Sequence, residues 1–171
     1  MHRAFLLLFS LTLLPAAQNV RDHGAKGDGT AKDTAAIQAA IDAAARQGGG
    51  VVLLPPGNYL CGTLRLKSHI TLEIASGARL TASPDRADFD AFETLPFKPL
   101  DDEETTYFHY ALLSADGVEH VAIQGHGIID GNRTKRGGPK AIAFKNSSSI
   151  SVRGVTIRNA PNYAVSLPAA A

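Results

Sequence analysis

The sequence of 171 residues contains a single cysteine, Cys61. A lone cysteine excludes an internal disulfide, so the fold must be stabilised by side-chain packing and strand pairing. The thiol itself is more typical of a small buried hydrophobic group than of a nucleophile.

Long apolar runs are also scarce. The one clear run, Ala4–Leu14, follows the basic Met1–Arg3 and precedes the small residues Pro15–Ala17. This order is typical of a secretory signal peptide, and the run is too short to span a bilayer stably. We therefore expect residues 1–17 to be cleaved and residues 18–171 to belong to one domain. The mature protein is expected to be secreted or periplasmic, without membrane attachment.

Acidic residues are absent from residues 131–171, which contain seven Lys or Arg, whereas residues 1–130 contain ten basic and sixteen acidic residues. The overall net charge of +1 indicates no nucleic-acid partner. The asymmetry leaves two interpretations open: basic side chains on solvated turns, or a surface that meets a polyanion.

Short alternations of apolar and polar residues dominate residues 118–166. The alternating pairs are Val121 and Ile123, Ile150 and Val152, and Val155 and Ile157. A period of two predicts strands with one buried face, and Gly or Asn ends each run. Many short strands of this kind are typical of a sandwich, a barrel or a stack of parallel coils.

The first part of the mature chain predicts turns followed by a helix. Ile37 and Ile41 lie one turn apart in the alanine-rich segment Thr34–Arg46, which indicates an amphipathic helix ended by Gly48–Gly50. Asp33 stands at the expected N-cap position, and Asp28 is expected to hold a turn.

Several motifs identify a family resemblance that runs from about Val20 to Ser166. The motifs are Gly24-Ala-Lys-Gly-Asp-Gly29, Asp33-Thr-Ala-Ala-Ile37, Pro55-Pro-Gly-Asn-Tyr59, Gly125-x-Gly127-x-Ile129-Asp-Gly131 and Asn159-x-Pro161-x-Tyr163. The first three resemble the entry segment of the pectin lyase-like superfamily. Together with the last two they resemble glycoside hydrolase family 28, the polygalacturonases.

The resemblance implies an all-β fold, a right-handed parallel β-helix whose first coil is capped by a short α-helix. It implies a secreted enzyme that hydrolyses O-glycosyl bonds in galacturonan or a related acidic polysaccharide, without a metal or another cofactor. It also places Asn159 among the asparagines whose amides stack at coil corners. An open end coil would expose unpaired backbone groups, so a capping helix over Ile37 and Ile41 fits this architecture physically.

The catalytic motifs of the family are missing. An inverting glycosidase needs one carboxylic acid and a second carboxylate about 6.5–9.5 Å away. The sequence has no Asn-Thr-Asp, and its one Asp-Asp pair, Asp101-Asp102, precedes the Ile-Asp-Gly motif, in the wrong order. His126 lies inside Gly-x-Gly-x-Ile-Asp-Gly, so we predict a structural or solvent-facing histidine, and Asp130 is predicted to hydrogen-bond backbone at a turn. No residue is therefore predicted to be catalytic.

Residues 85–110 interrupt the strand pattern and predict a loop excursion from one coil. Its aromatic residues are expected to pack on the outside of the coil or, alternatively, to stack on a sugar ring. The acidic run 101–104 is interpreted as a solvated segment, because adjacent carboxylates converge poorly on a cation.

The basic residues Arg133, Lys135, Arg136 and Lys140 are predicted to bind uronate carboxylates. We expect an N-terminal portion of a longer pectin-degrading hydrolase that is inactive alone. Two alternatives remain: a pectate or rhamnogalacturonan lyase-like protein, and a non-catalytic polysaccharide-binding β-helix.

Overall fold

The computed structural model describes residues 16–93, 110–133 and 137–167. These residues form one α-helix, α1 (Thr34–Arg46), two short 3-10 turns, Val20–His23 and Arg86–Asp88, and a series of short strands. The strands are β1 (Gln18–Asn19), β2 (Asp28–Lys32), β3 (Gly50–Leu54), β4 (Gly57–Cys61), β5 (Leu64–Arg65), β6 (Ile70–Ile74), β7 (Ala78–Ala82), β8 (Ala111–Asp116), β9 (Glu119–Gly125), β10 (Ile128–Asp130), β11 (Lys140–Lys145), β12 (Ser148–Arg153), β13 (Thr156–Arg158) and β14 (Val165–Ser166).

The strands form three parallel sheets, ordered β1-β3-β6-β9-β12, β2-β4-β7-β10-β13 and β5-β8-β11-β14. From β3 onward each strand pairs in parallel with the strand three positions later in the chain. Three successive strands therefore complete one coil, and the next coil stacks on it. This is the right-handed parallel β-helix that the family resemblance implied, and the strictly parallel pairing excludes the hairpins of a sandwich or an up-and-down barrel.

Aliphatic side chains from equivalent strand positions stack in the interior of the coils. In the first sheet Val52 pairs with Leu72, and Leu72 pairs with Ile123; all three are buried. Ile150 and Val152 continue this column on β12 but are only half-buried, because β12 is the last strand of its sheet. The period-two pattern of residues 118–166 is thus confirmed as the inward face of the coils.

Helix α1 covers the beginning of the stack, as predicted. Ile37 and Ile41 are fully buried, and the helix contacts β3 and β5 of the first complete coil. Asp33 occupies the N-cap position, as predicted, but its side chain makes no hydrogen bond to the first turn of the helix. Its carboxylate instead accepts hydrogen bonds from the backbone N–H groups of Lys26 (2.6 Å) and Gly27 (3.0 Å). The glycine-rich turn offers two free N–H groups, and it competes successfully for the carboxylate.

One corner of the coil repeats a left-handed backbone conformation. The strand register of the first sheet makes four residues equivalent in successive coils: Gly49, His69, His120 and Ser149. All four have positive φ. The His69 and His120 rings stack with centroids 5.4 Å apart. A side chain at Gly49 would collide with His69, so glycine is required at the helix-covered end of this column.

The chain leaves the second coil after β7, and residues 83–93 contain the described start of the loop excursion predicted for residues 85–110. The described part of this excursion is tied to the first coil. Lys32 forms an ion pair with Asp88 (2.7 Å), and the Asp90 backbone N–H donates to the Thr63 hydroxyl (3.0 Å). In the described ranges no helix is long and apolar enough to cross a membrane.

Candidate functional site

The predicted uronate-binding residues do not form one surface in the described part of the chain. Arg133 is half-buried, and its guanidinium donates to the Pro84 carbonyl (3.0 Å). Its Nε is buried without a hydrogen-bond partner among the described residues. Lys140 is the first residue of β11 and only 2% exposed. Lys135 and Arg136 lie outside the described residues.

Asp130 is the centre of a hydrogen-bonded network at the end of β10. Its carboxylate accepts from the Asn132 backbone N–H (2.9 Å), the Asn159 amide (2.9 Å) and the Arg158 Nε (2.8 Å). The turn bond to Asn132 confirms the structural role predicted for Asp130. Asn159 lies at a coil corner, as the resemblance implied, and its amide joins that corner to the coil before it.

The Asp130 network favours the ionised carboxylate. Burial would raise the pKa of Asp130, but hydrogen bonds from Asn159, Asn132 and Arg158 outweigh burial and hold the pKa below its usual range. A general acid needs a raised pKa, so Asp130 is unsuited to protonating a leaving group. His126 is solvent-exposed, in agreement with the expectation of a solvent-facing side chain.

A cavity of about 550 Å³ opens between the β5–β8 edge and the first residues of the excursion. Its lining residues are Arg65, Leu66, Asp90, Ala91, Ser114, Ala115 and Asp116. The volume is in the range of small-molecule sites, about 300–1,000 Å³. Polar side chains from two strands and the excursion therefore face a common space large enough for a ligand.

The lining of the cavity contains two carboxylates and one cation. The Arg65 guanidinium forms a two-pronged ion pair with the Asp90 carboxylate, so these two charges offset one another. Asp116 is exposed and accepts only the neutral Asn146 amide (2.9 Å) among the described residues. Asp116 consequently makes no ion pair with a described residue, although Lys145 of β11 is its register partner.

Ser114 supplies a free hydroxyl to the cavity. The residue is 5% exposed and pairs in register with Arg65, and its hydroxyl makes no hydrogen bond to any described residue. Sequence reasoning missed Ser114, Asp116 and Arg65 as a group, because they are separated by about fifty positions and meet only through the β5–β8 pairing. Sequence periodicity carries no signal for that juxtaposition.

The described aromatic residues of the excursion pack on one another. Phe89 and Phe92 each meet Tyr110 edge-on, with ring centroids 5.6 and 5.2 Å away, and Arg86 lies over Phe92 at 5.0 Å. This arrangement matches the packing alternative for these three rings. Phe97, Tyr107, Phe108 and the acidic run 101–104 fall outside the described residues.

A family model described as "Rhamnogalacturonase A/epimerase, pectate lyase-like" matches residues 17–94. An exo-poly-alpha-D-galacturonosidase from Dickeya chrysanthemi is 38% identical over 130 residues, covering 73% of this chain and 21% of the relative. Alginate lyase 7 from Azotobacter vinelandii is 35% identical over 156 residues, covering 85% and 17%. Mannuronan C5-epimerase AlgE5 from the same organism is 40% identical over 107 residues, covering 58% and 11%.

Among solved structures, a hyperthermoactive exopolygalacturonase from Thermotoga maritima superimposes with a TM-score of 0.70 at 24% identity, over 88% of this chain and 43% of that chain. The present chain spans about a fifth of the length of the first two relatives. Coil stacking, the entry motifs and these similarities lead to one assignment. The chain belongs to the pectin lyase-like superfamily of right-handed parallel β-helix proteins and is related to the polygalacturonases of glycoside hydrolase family 28.

Proposed function

We propose that this chain is part of a secreted, polygalacturonase-like glycoside hydrolase that acts on galacturonan or a related acidic polysaccharide. The observation that carries the proposal is the 38% identity to an exo-poly-alpha-D-galacturonosidase over 73% of the chain. Export is proposed from the leader-like residues 1–17. The reaction proposed is inverting hydrolysis by two carboxyl groups.

The described coils contribute binding and positioning to this function. Arg133 is the described basic residue assigned to a uronate carboxylate, because it is half-buried and only one of its terminal guanidinium nitrogens has a described partner, the Pro84 carbonyl. The buried carboxylates Asp33 and Asp130 are occupied by hydrogen bonds and receive no catalytic role. We propose that the chain alone binds polygalacturonate but does not cleave it.

The experiment is a parallel assay of binding and turnover with the full chain. Affinity electrophoresis through polygalacturonate measures binding, and reducing-end release measures hydrolysis. Arg133→Gln is expected to weaken binding about fivefold or more, the loss of one charge-assisted contact. Arg46→Gln removes the same charge at the end of α1 and is expected to leave binding unchanged. Equal retardation of Arg133→Gln and the unaltered chain would contradict the assigned role, and reducing-end release above blank would refute the proposed inactivity.

A second candidate is elimination or C5-epimerisation of a polyuronate such as alginate. The 35% identity to alginate lyase 7 over 85% of the chain favours it. The two candidates share a polyuronate ligand and differ in product. Ultraviolet absorbance of an unsaturated product from alginate would support a lyase, and a changed uronate epimer ratio in the proton NMR spectrum would support an epimerase.

A further inference from the structure

We propose that the cavity between β5, β8 and residues 88–93 is a sugar subsite that takes an uncharged, hydroxyl-rich residue and disfavours a uronate. The inference deepens the proposed function and rests on it for the presence of a polysaccharide. It adds a substrate class: a chain in which neutral sugars accompany the acidic ones. The basic residue Arg133 lies beyond this cavity and is not among its lining residues.

The hydrogen-bonding groups of the cavity suit hydroxyls. The Ser114 hydroxyl both donates and accepts, is without a described partner, and belongs to a residue 95% buried, since 5% remains exposed. Water can reach this hydroxyl in the open cavity, since the Arg133 Nε is the one buried polar side-chain atom without a partner among the described residues. A ligand hydroxyl therefore gains affinity by replacing that water with a fixed partner. Carboxylate oxygens of Asp116 and Asp90 add acceptors for neighbouring hydroxyls, and Leu66, Ala91 and Ala115 provide apolar wall.

The charge of the cavity sets its selectivity. Arg65 is engaged with both oxygens of Asp90, so it offers little attraction to an incoming anion. Asp116 is left as the net charge of the lining. A uronate carboxylate placed beside Asp116 meets like-charge repulsion, whereas the hydroxymethyl group of a neutral hexose meets a hydrogen-bond acceptor. The cavity would therefore bind a neutral hexose in preference to the corresponding uronate, which differs from it only in the oxidation state of one carbon.

The frame around the cavity is rigid enough to act as a preformed site. Asp90 is held by its backbone N–H to the Thr63 hydroxyl (3.0 Å), and the Thr63 hydroxyl donates to the Ala111 carbonyl (2.8 Å). The Leu66 backbone N–H donates to the Ser114 carbonyl (2.8 Å). Both strands and the excursion are thus connected, and a ligand need not order them on binding.

The test uses the full chain and two matched probes, methyl galactopyranoside and methyl galactopyranosiduronate, with affinity measured by saturation-transfer NMR. The neutral glycoside is expected to bind about tenfold more tightly than the uronate at low salt. Asp116→Asn is expected to reduce that ratio to about threefold or less, because the repelling charge is gone. Asp22→Asn removes an exposed charge from the first 3-10 turn and is expected to leave the ratio unchanged.

Ser114→Ala tests the hydroxyl contact independently of the charge of the cavity. It is expected to weaken both glycosides about fivefold while leaving the urea midpoint unchanged, since the hydroxyl has no described partner to lose. The proposal is overturned if neither glycoside binds, if the uronate binds as tightly as the neutral sugar, or if Asp116→Asn leaves the ratio intact. Loss of polygalacturonate binding with retained glycoside selectivity would instead refute the proposed function and leave the subsite standing.

Discussion

The Asp130 network permits a quantitative test of what joins successive coils. Asp130→Asn keeps the size of the side chain but removes the charge and one of the two acceptor oxygens. The single amide oxygen can accept either from Arg158, whose Nε and Nη2 both lie 2.8 Å from Oδ2, or from the Asn132 N–H and Asn159 amide, which donate to Oδ1. Hydrogen bonds to a charged group contribute about 1.5–3 kcal/mol each, but Arg158 is 40% exposed and regains water. The expected net cost is therefore about 2–3 kcal/mol, below the full value of breaking a buried pair.

Urea unfolding followed by far-ultraviolet circular dichroism measures this cost. With a urea dependence of about 2 kcal/mol per M, the midpoint is expected to fall by roughly 1 M. The exposed control Asp22→Asn is expected to shift it little. The double variant Asp130→Asn with Arg158→Met removes both charges, so it is expected to recover part of the loss. A midpoint for Asp130→Asn equal to that of the control would refute the reasoning.

The pH dependence of the same variant has a defined sign. The pKa of Asp130 is lowered in the folded protein, so its contribution is complete above the unfolded carboxyl pKa, about 3.9. The contribution is lost as the pH falls through the lower folded value. The unaltered chain is therefore expected to lose stability more steeply than Asp130→Asn below about pH 4. Identical slopes in that window would contradict the role assigned to the ionised carboxylate.

Three further outcomes are expected. Ile41→Ala in the capping helix should cost about 2–4 kcal/mol, because Ile41 is fully buried, and chemical denaturation checks this; no loss would mean that the cap does not seal the first coil. Cys61 should resist alkylation until urea unfolds the chain, because burial raises the pKa of its thiol; rapid native-state modification would contradict this placement. Thr63→Val should speed hydrogen exchange at the Asp90 amide, which donates to Thr63, and unchanged exchange would contradict the tether between excursion and coil.

The strands and the capping helix were accessible from sequence because their signals are local, whereas the coil architecture was implied by the family resemblance. Alternation at Val121 and Ile123 indicates a buried strand face without knowledge of the partner strand, and the same holds for Ile37 and Ile41 on a helix. Turn residues behave similarly: Asp28 accepts from the backbone N–H groups of Thr30 and Ala31, both at 2.8 Å, as a turn aspartate is expected to do.

Side chains whose partners are distant in sequence were predicted less well. Asp33 stands where a helix cap is expected, yet the folded turn at Lys26 and Gly27 takes its carboxylate. Lys140 was predicted to bind uronate carboxylates, but it is the first residue of β11 and only 2% exposed. Whether it contacts a uronate stays a prediction, and the structure gives no solvent-exposed ammonium at that position.

The sequence alone determined the short apolar strands and the amphipathic helix, because each depends on neighbours a few residues away, and the resemblance of the entry motifs to a known family implied their arrangement as parallel coils. Only the tertiary structure decided that Arg65 and Ser114 line one cavity, that Asp116 leaves it with a net negative charge, and that Asp130 and Arg158 join two coils. Those contacts depend on strand register between coils, and register is set by packing of the whole stack rather than by any single segment.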